Sequence, residues 1–226
     1  MAYRCLLYYI TDRSQFRGDE GARRRALLAK VAEAASAGVD YIQLREKDLS
    51  ARELEMLARD ALAAVHNSAP LRTENRELRT RSLINSRTDI ALAVEADGVH
   101  LRADDVAPPE VRRVLELSSH RPLAPDHFLV AASCHTAAGV LRAESENADF
   151  AVFAPVFGKR GAAVTPPAGL AALREACRVR IPVLALGGVT IENAASCLEV
   201  GAAGVAGIRL FQENKIEDVV RALRAL

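Results

Sequence analysis

The stretch Gly38-Val39-Asp40-Tyr41-Ile42-Gln43-Leu44-Arg45-Glu46-Lys47-Asp48-Leu49-Ser50 sets the rhythm of the chain. Val39 to Leu44 carries β-branched and aromatic residues and ends in charge, the pattern of a short strand. Ser50 precedes a segment of helical periodicity and has Glu53 three places on, the spacing of a reciprocal N-terminal cap. A strand therefore hands over to a helix between Leu44 and Ser50, and Gln43, Arg45 and Lys47 sit at the handover. Alternate strand residues share a face, so these three point one way if the extended form persists to Lys47. One amide and two cations around one spot suit an anion, a diphosphate in particular. The competing reading is a solvated charged loop.

The same alternation recurs on both sides. Leu6 to Ile10 reads as a strand tipped by Thr11-Asp12-Arg13. Residues 21–37 have apolar positions at helical spacing and stop at Gly38. A helix over 51–65 is followed by Asn67 to Ser82, polar and dense in Arg and Glu, which reads as a surface excursion and not a linker. Ser82 to Asn85 is a third strand, with a short helix through Val94, and Gly98 to Leu101 a fourth. Pro108 and Pro109 open a helix to about Leu117, since proline is tolerated in a first turn. Phe128 to Ala132 is the fifth strand, Thr136 caps the next helix, and Phe150 to Ala154 is the sixth strand. A Gly/Pro-rich loop spans Pro155 to Pro167, with a helix to about Val179. Ile181 to Leu186 is the seventh strand, Thr190 caps the helix after it, Gly204 to Ile208 is the eighth strand, and a last helix covers 216–226.

Strict alternation argues for parallel strands joined by helical crossovers. Eight such units in 226 residues predict an α/β fold, a single (β/α)8 TIM barrel over 1–226 with a polar excursion at about 67–82. A doubly wound open sheet is the runner-up, but no Gly-x-Gly-x-x-Gly follows the first strand.

Composition narrows the function classes. A formal net charge of +1 supplies no bulk field to recruit nucleic acid or an anionic membrane. Aromatics are 4% with no Trp, which weighs against base-stacking surfaces. The apolar runs are short of a membrane span and the start lacks a signal-peptide pattern, so a cytoplasmic location is expected. Cys5, Cys134, Cys177 and Cys197 are scattered without Cys-x-x-Cys, which suggests buried free thiols and neither zinc nor a disulfide framework.

In a barrel of this class the chemistry sits at the C-terminal ends of the strands. Those ends are polar or glycine-rich here: Thr11-Asp12, Gln43 to Lys47, Asn85-Ser86-Arg87, His100 with Asp104-Asp105, Ser133-Cys134-His135, Gly187-Gly188 and Gly207. That pattern favours a small-molecule enzyme. Gly187-Gly188 after strand seven and Gly204 to Ile208 in strand eight fall where such barrels bind phosphate, and glycine lets backbone N–H groups approach an anion. The alternative is that these glycines only make tight turns. Asp104 and Asp105 offer hard oxygen ligands for Mg2+, or an acidic pair before the helix at Pro108. His135 is an acid/base candidate or a hydrogen-bonded structural histidine. His100 is read as structural and inward-pointing; His66, His120 and His127 as solvated. Nothing in the sequence activates Cys134 as a nucleophile.

Together the strand ends resemble the thiamine phosphate synthase/TenI superfamily over nearly the whole chain. The matching pieces are Tyr9-Ile10-Thr11-Asp12, Gln43-Leu44-Arg45-Glu46-Lys47, Leu83-Ile84-Asn85, Ala96 to Leu101, Ser133-Cys134-His135, Pro155-Val156-Phe157 and Pro182 to Gly188. The resemblance implies a (β/α)8 barrel that joins an aminopyrimidine methyl diphosphate to a thiazole phosphate and releases Mg2+-bound diphosphate. It implies that Gln43 holds the aminopyrimidine, and that Arg45, Lys47, Asn85 and Ser133 hold the diphosphate. Asp105 becomes a Mg2+ ligand, and Gly188 with the Gly207-Ile208 backbone receives the thiazole phosphate. The partners are then small phosphorylated pyrimidine and thiazole substrates, with no nucleic acid and no membrane; a homodimer is frequent in the family.

The chain departs from the synthase pattern at four places. Ser86 stands where that pattern has a second Asp ligand. Gly158-Lys159-Arg160-Gly161 replaces a Thr-x-Thr-Lys loop, where Lys159 or Arg160 can substitute for the missing lysine. Arg102-Ala103 replaces Gly-Gln, and Arg209 replaces a serine. These departures resemble the TenI branch, which includes thiazole tautomerases that need no metal and use the histidine matching His135. Transferase with Mg2+ and tautomerase without cofactor are therefore the two enzyme expectations, and a non-catalytic ligand-binding barrel is the third.

Overall fold

The structure, a computed structural model, describes residues 4–68, 79–117, 128–158 and 166–226. Eight parallel strands close into a barrel in chain order: β1 (Leu6–Ile10), β2 (Tyr41–Leu44), β3 (Arg81–Asn85), β4 (Gly98–Leu101), β5 (Leu129–Cys134), β6 (Phe150–Phe153), β7 (Val183–Ala185) and β8 (Gly204–Gly207). Closure is made by β8 lying parallel to β1, with Leu6 opposite Gly204 and Tyr9 opposite Gly207. The helices are α1 (Glu20–Ser36), α2 (Ala51–Ser68), α3 (Thr88–Ala93), α4 (Pro108–Leu117), α5 (Ala137–Ser145), α6 (Gly169–Ala176), α7 (Ala194–Glu199), α8 (Arg209–Gln212) and α9 (Ile216–Arg224), with a 3-10 turn at Arg13–Gln15. Among the described residues, no helix is long and apolar enough to cross a membrane.

The core has two layers, because a barrel strand buries both faces. One face of each strand packs under the helices, with Leu7, Tyr9, Ile42, Ile84, Val99, Val130 and Phe153 in that layer. The other face fills the barrel interior with Tyr8, Ile10, Leu83, Ala131, Phe150, Val152, Leu184 and Ala206. Tyr8 meets Tyr41 and Phe150 edge-on at 5.8 and 5.6 Å between ring centres, and Tyr41 stacks on Phe150 at 4.8 Å.

Local signals place most boundaries. The reciprocal cap at α2 forms: Ser50 Oγ accepts from Glu53 N at 3.3 Å while the Glu53 carboxylate accepts from Ser50 N at 3.1 Å. Thr136 Oγ1 accepts from Gly139 N at 3.0 Å and caps α5.

Several expectations are corrected. Thr190 does not cap the helix after β7: that helix starts at Ala194, and Asn193 Oδ1 accepts from Thr190 N at 2.8 Å. Strand β7 is three residues, helix α6 ends at Ala176 and α9 at Arg224. The strand β8 stops at Gly207 because Ile208 opens the short helix α8, which periodicity over four residues cannot reveal. The polar excursion is narrower than 67–82, since α2 continues through Ser68 and β3 begins at Arg81. Thr80 Oγ1 donates to Val39 O at 2.7 Å, and Arg79 pairs with Asp97, so the approach to β3 is tied down. Residues 69–78 of that excursion lie outside the described residues, as do His120, His127, Lys159, Arg160 and Gly161.

Candidate active site

The strand after Gly38 does carry Gln43 to the C-terminal rim, but extended backbone ends at Leu44 and Lys47 stands in a turn. The condition for a common direction of the three side chains, extended backbone as far as Lys47, is therefore not met. Gln43 is inside the barrel at 1% exposure, Arg45 is half-buried and Lys47 is exposed. Burial pushes the Arg45 guanidinium down, with Asp12 of the β1 turn and the adjacent Glu46 opposing and Arg102 of the β4 turn adding to the effect. Glu46 turns the other way, to 5% exposure. Thr11 Oγ1 donates to Glu46 Oε1 at 2.6 Å and accepts from Arg45 N at 2.9 Å. Glu46 also accepts from Arg13 N and from Arg13 Nη1 at 3.1 Å. Arg13, itself 5% exposed, forks onto Asp48 at 2.7 and 2.8 Å. The turn that bears both cations is thus clamped from below by a buried arginine and a threonine.

Parity along the strands then gathers a polar set on the inner face at the rim. Gln43 Nε2 donates to Asn85 Oδ1 at 3.0 Å, and Asn85 Nδ2 donates to Ser86 Oγ at 3.0 Å. Asn85 stands beside His100 in the β3–β4 ladder. His100 Nε2 lies 2.7 Å from Ser133 Oγ, and its Nδ1 lies 3.0 Å from the Tyr8 hydroxyl. Burial, with the Arg45 charge adding to it, pushes His100 down to about 3, so the ring is neutral. The structural reading of His100 is incomplete: the ring is inside the barrel and connects to Ser133.

Asp105, Ser133 and His135 line one cavity of about 290 Å³ between the β4 and β5 turns, bounded by Pro108, Gly139 and Arg142. Asp105 Oδ2 accepts from Arg102 N at 2.6 Å and shapes its own turn, while Asp104 pairs with Arg102. His135 is exposed, with Nδ1 2.7 Å from Ala154 O. Cys134 is buried and its thiol is pushed up to about 11 by burial, which leaves it inert as a nucleophile.

The opposite arc of the rim carries the glycines. Gly187 and Gly188 have φ of +98° and +65°, conformations that favour glycine. A Cβ on Gly188 would meet Gly158 O at 2.7 Å, so the β6 and β7 turns pack backbone on backbone. Gly207 ends β8 and Ile208 opens α8, which brings amides of both turns to the rim where barrels of this class take phosphate. The candidate residues therefore divide into a polar arc over β2–β5 and a glycine arc over β7–β8.

Among the described residues, no group of three or more His, Cys, Asp or Glu could hold a metal ion. Mg2+ commonly takes one or two carboxylates and completes its shell with water and substrate phosphates. The Asp105 carboxylate and the Ser86 hydroxyl, on neighbouring turns, fit a Mg2+ that arrives with a diphosphate and do not fit a fully protein-held ion.

Sequence reasoning missed Tyr8, Arg13 and Glu46. Tyr8 had a signal, a polar-tipped ring on the face of β1 that also carries Leu6 and Ile10. Arg13 and Glu46 had none, because their pairing spans 33 positions.

A family model described as thiamine monophosphate synthase matches residues 7–211. A putative thiamine-phosphate synthase 2 of Aquifex aeolicus is 39% identical over 208 residues, covering 92% of this chain and 97% of that protein. A putative thiamine-phosphate synthase of Geobacter sulfurreducens is 41% identical over 223 residues, covering 97% and 93%. Among solved structures, a thiamine phosphate pyrophosphorylase from Pyrococcus furiosus superposes with a TM-score of 0.75 at 26% identity, covering 99% of this chain and 95% of the other. The tautomerase alternative gains no support from these matches, two of which are named as thiamine-phosphate synthases and the third as a thiamine phosphate pyrophosphorylase.

Proposed function

The chain belongs to the thiamine monophosphate synthase family, and from that premise we propose that it joins an aminopyrimidine methyl diphosphate to a thiazole phosphate, forming thiamine phosphate and diphosphate. The observation that supports this reading best is the joined polar arc Gln43–Asn85–Ser86 and His100–Ser133, flanked by Arg45.

The bond from the pyrimidine methylene to the diphosphate oxygen breaks, and a bond from that methylene to the thiazole ring nitrogen forms. Charge then accumulates on the leaving diphosphate. Arg45 and Lys47 supply cations to it, and the Asn85 and Ser133 side chains supply hydrogen bonds, all held in place before reaction. Gln43 gives one of its two N–H groups to Asn85, and its carbonyl oxygen accepts from the exocyclic amine of the pyrimidine. The amides about Gly188 and Gly207-Ile208 bind the thiazole phosphate across the rim. Asp105 and Ser86 would hold a Mg2+, which would supply charge neutralisation for the diphosphate. Lys159 and Arg160 remain candidates for further phosphate contacts.

The test is incubation of purified protein with both substrates and Mg2+, with and without EDTA. Thiamine phosphate forms in the first case and not with chelator. No product under any Mg2+ concentration would reject the reading.

A further inference from the structure

Tyr8 is fully buried at 0% exposure and His100 at 2%, yet their polar atoms form one line from the barrel interior to the rim. The line runs Tyr8 hydroxyl, His100 Nδ1 at 3.0 Å, His100 Nε2, then Ser133 Oγ at 2.7 Å. A neutral imidazole has one N–H and one bare nitrogen, so only two arrangements exist. If Nδ1 carries the hydrogen, it points at the phenol oxygen, and the phenol hydrogen is left buried without an acceptor. Ser133 must then give its hydrogen to Nε2 and turn lone pairs toward the site. If Nε2 carries the hydrogen, the phenol donates to Nδ1 and Nε2–H donates to Ser133 Oγ. Every buried donor is then satisfied, and the Ser133 hydrogen is free to face the rim. The cost of an unmet buried donor selects the second arrangement.

We propose that Tyr8 and His100 are positioning residues that keep the Ser133 hydroxyl a hydrogen-bond donor toward the diphosphate. This rests on the diphosphate reading of Ser133 given above. The tyrosine acts at a distance: it touches no substrate, but its phenol decides which nitrogen of His100 bears the hydrogen. That choice decides whether Ser133 meets an anion with a hydrogen or with lone pairs.

Two measurements test it. In wild-type protein with 15N-labelled histidine, NMR correlation of ring nitrogens and carbon-bound hydrogens assigns the His100 tautomer. The expected form carries the hydrogen on Nε2; a hydrogen on Nδ1 overturns the proposal. Second, calorimetry measures inorganic diphosphate binding, with Mg2+ present, to wild type, Tyr8→Phe, Ser133→Ala and the double variant. Tyr8→Phe weakens binding about fivefold, the size of one hydrogen bond, and has no further effect in the Ser133→Ala background. An equal loss in both backgrounds overturns the positioning role while leaving the diphosphate site intact. Failure of wild type to bind diphosphate defeats the site reading itself, and the proposal with it.

Discussion

Lys47 and Arg45 illustrate how two cations of one turn divide their roles. Arg45 is half-buried and its charge is felt at His100, whereas Lys47 is exposed on the turn. Lys47→Ala removes a charge without opening the core. It should lower kcat/KM by roughly a hundredfold with an unchanged melting temperature, read by steady-state kinetics and thermal unfolding together. Ser86 is the more unusual position. Its φ of +60° is a left-handed backbone, which Asp and Asn enter more readily than other non-glycine residues. A Ser86→Asp variant therefore adds no backbone penalty over serine and puts a carboxylate on the β3 turn, next to the β4 turn that bears Asp105. The Mg2+ concentration for half-maximal rate should fall several-fold in a titration; an unchanged value would mean that Ser86 does not face the metal.

The turn after β2 depends on an element far from it in appearance, the 3-10 turn after β1. Arg13 holds Glu46 and Asp48 from that turn, and Thr11 Oγ1 accepts from the Arg45 N–H and donates to the Glu46 carboxylate. Burying the two charges is costly, so the pair is better viewed as a clamp on geometry than as a net source of stability. Removing one partner is different, because it strands Glu46 in the core. Arg13→Met should cost on the order of 3 kcal/mol in chemical denaturation and should also slow turnover. Adding Glu46→Gln should restore part of the stability, because the stranded charge is gone, without restoring the rate.

Carboxylates also set the response of the entire barrel to acid. Arg24 and Arg13 hydrogen bonds hold Glu20 below the usual carboxylate range, and the Arg13 hydrogen bond does the same for Asp48. A carboxylate depressed in the folded state stabilises above its unfolded value and ceases to do so as pH falls through its folded value. Glu46 has the opposite sign: burial raises it, so its ionisation opposes folding as pH climbs past the ordinary glutamate value. The melting temperature should therefore fall on acidification below about pH 4, and Arg13→Met should flatten that fall. Circular-dichroism melts from pH 3 to pH 7 measure it; an acid limb as steep in Arg13→Met as in wild type would contradict the assignment.

The strand–helix alternation, the caps at Ser50 and Thr136, and the order of polar strand ends were all legible in the chain. Each is a short-range pattern: apolar spacing, a side chain reaching three residues, a glycine after a helix. Gln43, Asn85 and Ser133 could be placed at strand ends for the same reason. Their hydrogen-bonded arc, and its link through His100 to Tyr8 across 92 positions, could not, because that contact exists only once β8 meets β1 and the strand register is closed. The burial of Glu46 against Arg13, the short helix after β8 and the loss of the Thr190 cap have the same origin. Local propensity proposes such features weakly, and packing between distant segments settles them.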